Sequence, residues 1–220
     1  MKKLFVLLLS LAAAWSCKMN GSYSYTNCQD FVTLDKGSLI NDYGAVYFIS
    51  QVESDKVPVP TESGRRYYLF FDILNSYGEI LLKNSLPVSV LQPLPVTDPA
   101  PESHDPVSIV LSNISPNWLN LGISYYKVKG SEFVHSFSVQ YEQDDASDNI
   151  CFNLYHDGND ENPASVADGS SLEQETKMLS IPLTGYDWTP TGLLLTCHVL
   201  QPKDEGGYEV VQKTYTSDTN

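Results

Sequence analysis

Six consecutive residues, Asp157-Gly158-Asn159-Asp160-Glu161-Asn162, bring three carboxylates and two side-chain amides together, with Asp144, Asp145 and Asp148 shortly upstream. Hard oxygen donors at alternate positions are what Ca²⁺ takes, in shells of about six to eight oxygens. Asp157, Asn159 and Glu161 would be the ligands. An EF-hand loop, however, needs glycine at its sixth position and glutamate at its twelfth, where this segment has Asn162 and Asp168. A solvated, turn-rich loop fits the segment better, and no cofactor or resident metal is expected.

Four histidines occur, at 104, 135, 156 and 198. His135, His156 and His198 fall on predicted strands and could converge as a metal site or as part of a Ser/His/Asp constellation. No GxSxG, HExxH or HxxE spacing supports either chemistry. They are expected to satisfy polar positions on strand faces, and the chain is expected not to be an enzyme.

Aromatic residues offer a different chemistry. Tyr67-Tyr68 beside Phe70-Phe71, and Tyr125-Tyr126 near Trp118, put rings on both faces of predicted strands. An exposed Tyr or Trp is a flat, half-polar platform for a sugar or a partner protein, because it buries much area at low entropy cost. Trp118, Tyr125, Tyr126, Tyr67 and Tyr68 form the candidate platform. The plainer alternative is that tyrosine coats sheet faces by propensity.

The N-terminus reads as an address. Lys2 and Lys3 precede an apolar run from Leu4 to Ala14, which as a helix would rise only about 16 Å, against a hydrocarbon core of about 30 Å. That length suits a signal peptide and is too short for a membrane span. Ser16-Cys17 fits the cleavage site of a bacterial lipoprotein, so residues 1–16 are expected to be removed and Cys17 acylated. The polar run 17–27 is then a lipidated tether. It lacks an acidic run after the cysteine, which favours the periplasmic side of the outer membrane over the cell surface. Of the remaining thiols, Cys28, Cys151 and Cys197, the last two lie in strand-like runs; a bridge between them competes with separate buried thiols, and CxxC spacing is absent.

The elements that must position these residues are strands. In the first half, Phe31–Leu34, Ala45–Gln51, Arg66–Leu74, Glu79–Lys83 and Val88–Leu91 alternate with turn chemistry such as Asp35-Lys36-Gly37 and Asn75-Ser76-Tyr77-Gly78. Five short strands suit a small OB-like barrel over 28–97. Prolines crowd the next stretch, and 98–106 is read as a stiff linker. Seven predicted strands follow, Val107–Leu111, Trp118–Tyr126, Glu132–Tyr141, Asn149–His156, Lys177–Pro182, Leu193–Gln201 and Glu209–Thr214, a β-sandwich count over 107–220. Ser170–Glu175 is read as a single helical turn and Gly206-Gly207 as a hairpin turn. The fold class is therefore all-β, a small OB-like barrel followed by a β-sandwich.

With 27 acidic residues against 13 basic ones the net charge is −14, which argues against nucleic acid, since phosphate binding needs clustered Lys and Arg. Anionic lipid would also repel the folded part, leaving an anchor at Cys17 as the membrane contact.

Three motifs carry a resemblance: Trp118-Leu119-Asn120-Leu121-Gly122-Ile123-Ser124-Tyr125, His135-Ser136-Phe137-Ser138-Val139, and Phe152-Asn153-Leu154-Tyr155-His156-Asp157 followed by Asp160 and Glu161. Over 105–200 the chain resembles the NigD-like lipoprotein family, with Tyr155 where the family more often has arginine. The resemblance implies a lipoprotein with an N-terminal OB-like domain and a C-terminal β-sandwich, and no established reaction. The expected function is non-enzymatic binding of an envelope protein or peptide; glycan binding within a polysaccharide-capture system is the alternative.

Overall fold

The computed structural model describes residues 18–20, 24–96, 105–144, 146–159, 161, 172–186, 192–202 and 208–218. The predicted signal peptide, Cys17, most of the Pro-rich linker, His104 and the Gly206-Gly207 turn lie outside these residues. All elements described are strands, as expected, and they fall into two units.

The first unit comprises Met1–Val90, Leu111–Asn120 and Met178–Leu183. Its centre is a ring of five strands: β2 (Ser24–Asp35), β3 (Ser38–Asn41), β4 (Val46–Val52), β5 (Arg66–Ile73) and β6 (Glu79–Val90). β2 pairs β3, β3 pairs β4, β4 pairs β6 in parallel, and β5 closes the ring between β6 and β2. This is an OB-type barrel. Lys36 and Gly37 turn β2 into β3 with φ of 47° and 88°, the two-residue hairpin geometry whose second position glycine adopts without strain. Register shifts in β2, β4, β5 and β6 mark where the strands bend to close.

Val32, Leu34, Leu39, Leu69, Phe71, Ile80 and Leu82 fill the barrel. Phe31 and Tyr68, which point the other way by the strand's two-residue period, pack with Met178, against Phe70, Leu86, Val88 and Leu111. Both faces of β2 and β5 are thus buried within this unit.

Several expectations are corrected here. The barrel has five strands, but β3 was not foreseen, and the two runs split around Pro87 are one continuous strand in which Pro87 faces Tyr67. The stretch read as a free tether contains β1 (Lys18–Asn20), paired antiparallel with Ser24–Thr26. A cut at 98–106 is not where the units divide: Leu111–Asn120 and Met178–Leu183 belong with the barrel, while β7 (Leu94–Pro95) pairs with Gln140 and Tyr141 of the second unit.

The second unit comprises Leu91–Val110, Leu121–Lys177 and Thr184–Asn220. Its strands are β7, β10 (Ser136–Asp144), β11 (Asn149–Asp157), β13 (Gly192–Pro202) and β14 (Tyr208–Asp218), in the order β14-β13-β11-β10-β7. Parts of β8 (Ser108–Ile114), β9 (Trp118–Val128) and β12 (Leu172–Pro182) complete it. Leu172–Glu175 continues β12, so the predicted helical turn is absent there: Met178, Leu179 and Ile181, at its far end, have buried partners that a lone turn would not reach. Tyr125 of β9 touches His135, Phe137 and His156, closing a sandwich core with Leu121, Ile123, Val139, Phe152 and Leu154. Cys151 and Cys197 are both free. Cys151 is in register with Leu194, three residues short of Cys197, so no bridge can form.

A histidine brace beneath a loop tip

The second unit brings two of the four histidines together. Ser136 pairs with Asp157 across β10 and β11, which sets His135, just before β10, opposite the end of β11 that carries His156. His135 Nδ1 lies 2.8 Å from His156 Nε2, and His135 Nε2 lies 2.7 Å from Glu161 Oε2. All three side chains are buried. A carboxylate only accepts, so His135 Nε2 carries the proton shared with Glu161.

Local sequence chemistry explains why the chain doubles back. At the end of β11 the Asp157 carboxylate accepts from the Asn159 amide, an Asx turn, and Asn159 sits at φ 55°. The Gly158 amide donates to Asp105 Oδ2 at 2.7 Å, and the Glu161 amide donates to the Gly158 carbonyl. A β-carbon on Gly158 would lie 3.0 Å from Asp105 Oδ2 and 3.2 Å from the Glu161 carbonyl oxygen, so only glycine fits without displacement. The Asn159 side-chain amide donates to the Val134 carbonyl, and the Phe133 amide to Ser131 Oγ. Loop 129–134, between β9 and β10, is therefore tied to the brace below it. Its tip is apolar, with Phe133 54% and Val134 74% exposed.

Rings seal the brace. Tyr125 stacks on His135 at 4.9 Å and Phe137 on His156 at 4.6 Å, with Lys177 Nζ 5.1 Å from the Phe137 ring. Burial pulls the His156 imidazole down to about 4; the neighbouring His135 adds to the pull, and Asp105 with the Asp105 and Pro106 backbone opposes it. Burial pushes Glu161 up, but hydrogen bonds from Ser131, His135 and Val128 outweigh it and hold the carboxyl below its ordinary value.

The three candidate calcium donors of the loop point to different partners: Asp157 caps a turn, Asn159 holds Val134 and Glu161 binds His135. Among the described residues no group of three or more His, Cys, Asp or Glu side chains is placed to hold a metal. His198 does not join the other two; it lines a shallow depression with Asn153, Tyr155, Thr196 and Gln212.

The expected aromatic platform does not assemble either. Tyr67 and Tyr68 are buried on opposite faces of β5, and Tyr125 is inside the sandwich of the other unit. Trp118 lies under the Arg66 guanidinium at 4.1 Å, which leaves Tyr126, 46% exposed, as the one exposed ring of the five. Alternation explains the outcome: rings on both faces of a strand are expected to leave one face wet, but β5 is covered on both.

Sequence reasoning also missed a second buried polar network, inside the first unit. Arg66 Nη2 pairs with Asp42 Oδ1 at 2.8 Å, both side chains buried. Asp42 Oδ2 further accepts from Asn120 Nδ2 at 2.6 Å and Ser115 Oγ at 3.0 Å. Arg66 also donates to Ser180 Oγ, Asn120 Oδ1 and Thr33 Oγ1. Burial pulls Arg66 below its ordinary value and the Asp42 charge opposes the pull. The chain has only two arginines, adjacent at 65 and 66. An arginine opening a run of Tyr, Leu and Phe was the available signal, because a buried guanidinium demands a carboxylate.

No protein-family model and no curated protein matches this chain. Solved structures do match. A NigD-like immunity protein from Bacteroides caccae superimposes with a TM-score of 0.58 at 17% identity, covering 92% of this chain and 100% of that one. A protein of unknown function from Bacteroides vulgatus gives 0.60 at 16% identity, with 89% and 90% covered. A lipoprotein candidate from Bacteroides fragilis gives 0.59 at 13% identity, with 89% and 98% covered. At these identities the likeness establishes the fold.

Proposed function

We propose that this chain, built on the NigD-like fold, is a lipid-anchored cell-envelope protein that binds a polypeptide partner and performs no catalysis. The observation that carries the reading is the pairing of a buried brace with an exposed apolar tip. Both ring nitrogens of His135 are engaged, one by Glu161 and one by His156, so that imidazole has no nitrogen left to activate a nucleophile. Phe133 and Val134, by contrast, stand in solvent on a backbone that hydrogen bonds already hold. Apolar anchors presented by a preorganised loop lower the entropy of association, which is how a small contact acquires useful affinity.

Anchoring follows from the sequence, through the apolar leader and Cys17, and is supported by the lipoprotein candidate among the structural neighbours. The outer membrane, on its periplasmic side, is the proposed location. The immunity protein among those neighbours favours a peptide or protein partner over a glycan. The test is a photo-crosslinking amino acid at position 133 in the producing cell, with position 77, whose tyrosine is 82% exposed, as control. A discrete polypeptide adduct is expected from 133 and not from 77, and Phe133→Ser with Val134→Ser should remove the partner from pull-downs. Equal adducts at both positions, or binding on a glycan array with no protein adduct, would overturn the reading.

A further inference from the structure

The sheet of the second unit opens along one seam. β11 and β13 pair in parallel from Ile150 opposite Leu193 to Asn153 opposite Thr196, and there the ladder stops, although β11 runs on to Asp157 and β13 to Pro202. Residues 105–107 bridge the parted strands: the Asp105 amide donates to the His156 carbonyl at 3.0 Å and the Val107 amide to the His198 carbonyl at 2.8 Å. At this fork lies the depression of about 250 Å³ lined by Asn153, Tyr155, Thr196, His198 and Gln212. Leu154 and Cys197, which also border it, are buried in the core, so by the strand's two-residue period Asn153, Tyr155, Thr196 and His198 share the opposite, outer face. Gln212 joins them from β14, where it is opposite His198.

The polar side chains of this recess are amides, hydroxyls and an imidazole, with no carboxylate, ammonium or guanidinium among them. Such a lining has no fixed charge to hold an ion. It does have groups that donate and accept from adjacent atoms, as the carboxamides of Asn153 and Gln212 do, and neighbouring hydroxyls on a sugar ring donate and accept in the same way. A carboxamide side chain of a polypeptide offers one such pair, where a sugar ring offers several around its rim. Within the described residues neither carboxamide of the recess has a hydrogen-bond partner, so both are open to a ligand. Other members are already held: Tyr155 donates to Gln140 Oε1 at 3.3 Å, and the Thr196 hydroxyl shares a hydrogen bond with that of Thr214 at 3.0 Å. Tyr155 adds the apolar body of a ring beside these groups, which suits the C–H face of a sugar. The volume falls below the range of about 300–1,000 Å³ that encloses a drug-sized ligand, so the recess takes one ring rather than a chain.

We propose that this fork is a second binding site, for one neutral pyranose ring, separate from the loop tip of Phe133 and Val134. It goes beyond the polypeptide-binding reading and does not depend on it, because the two sites share no residue.

The test titrates the purified, nitrogen-15-labelled mature chain with the methyl glycosides of glucose, galactose, mannose and N-acetylglucosamine, and follows the side-chain amide resonances of Asn153 and Gln212. At least one glycoside should move both resonances and saturate with a Kd on the order of 10⁻³ M, as a single ring with a few hydrogen bonds gives. Asn153→Leu, which keeps the side-chain volume, and Gln212→Ala should each weaken that glycoside at least about fivefold, with Tm unchanged because neither amide is bonded within the fold. No shift from any of the four glycosides at about ten times that Kd, unchanged affinity in both variants, or equal shifts from N-acetylglutamine amide would each overturn the inference. The last of these would assign the recess to polypeptide carboxamides instead. Such a failure leaves the adduct from position 133 standing, and loss of that adduct leaves the sugar titration standing, so the two readings fail separately.

Discussion

Each of the two units buries a polar network, and the two networks differ in what they are made of. In the first unit it is an ion pair, a guanidinium and a carboxylate, with Ser115, Asn120, Ser180 and Thr33 supplying further partners. It ties Ser115, Asn120 and Ser180, residues far along the chain, to Arg66 and Asp42 of the same unit. In the second unit the members are titratable, and they lie directly beneath an exposed loop. The contrast separates a fastening built on a guanidinium–carboxylate pair from a support that depends on the protonation of imidazoles.

Removing one member of the first network should have the largest effect. Asp42→Ala leaves a buried guanidinium without its countercharge and should destabilise by about 3–5 kcal/mol in denaturant titration, whereas Arg66→Met with Asp42→Leu, which removes both charges, should cost much less. Equal losses from both would mean that packing, not charge, holds the segments together.

The second network should answer to pH. His156 is held near 4 in the folded chain against an ordinary value of 6.5, so the unfolded chain binds the extra proton first. Stability is then full above pH 6.5 and falls as pH drops towards 4, by up to about 3 kcal/mol; Glu161, held low, adds its own loss below about 4.5. His156→Gln should flatten the profile between 6.5 and 4, and an unchanged slope would remove His156 from the account.

Smaller effects sharpen the comparison. Glu161→Gln weakens a charge-assisted bond and should cost about 1–2 kcal/mol in thermal melts, with faster amide exchange at 131–134. Gly158→Ala should cost about 1–3 kcal/mol by crowding Asp105 and the Glu161 carbonyl, and should quicken the same amides. Phe133→Ser with Val134→Ser should change stability by under about 0.5 kcal/mol, because both side chains already face water.

How far these features were legible in the sequence depends on how local they are. Strands with clear alternation or apolar runs, such as β5, β9 and β11, were read within a few residues. β3 was missed because Ser38-Leu39-Ile40-Asn41 is short, and β6 was split because Pro87 looked like a breaker although it sits near the strand's end. The interleaving of the units was invisible: Asn120 and Ser180 reach Arg66 across 54 and 114 residues, and nothing in their neighbourhoods signals it. Convergence of His135 with His156 could be entertained from strand positions alone. Glu161 is visible as a carboxylate but its histidine partner is not, since an acidic loop looks the same whether its side chains turn to water or to a histidine.

The claim that matters most is that the buried brace exists to hold the tip for contact. Photo-crosslinking from position 133 in the Glu161→Gln background tests it directly, with Tm checked to stay above the temperature of the experiment. Adduct yield should fall several-fold relative to the unaltered brace; full yield from a loosened loop would contradict the claim and reduce the histidines to core packing.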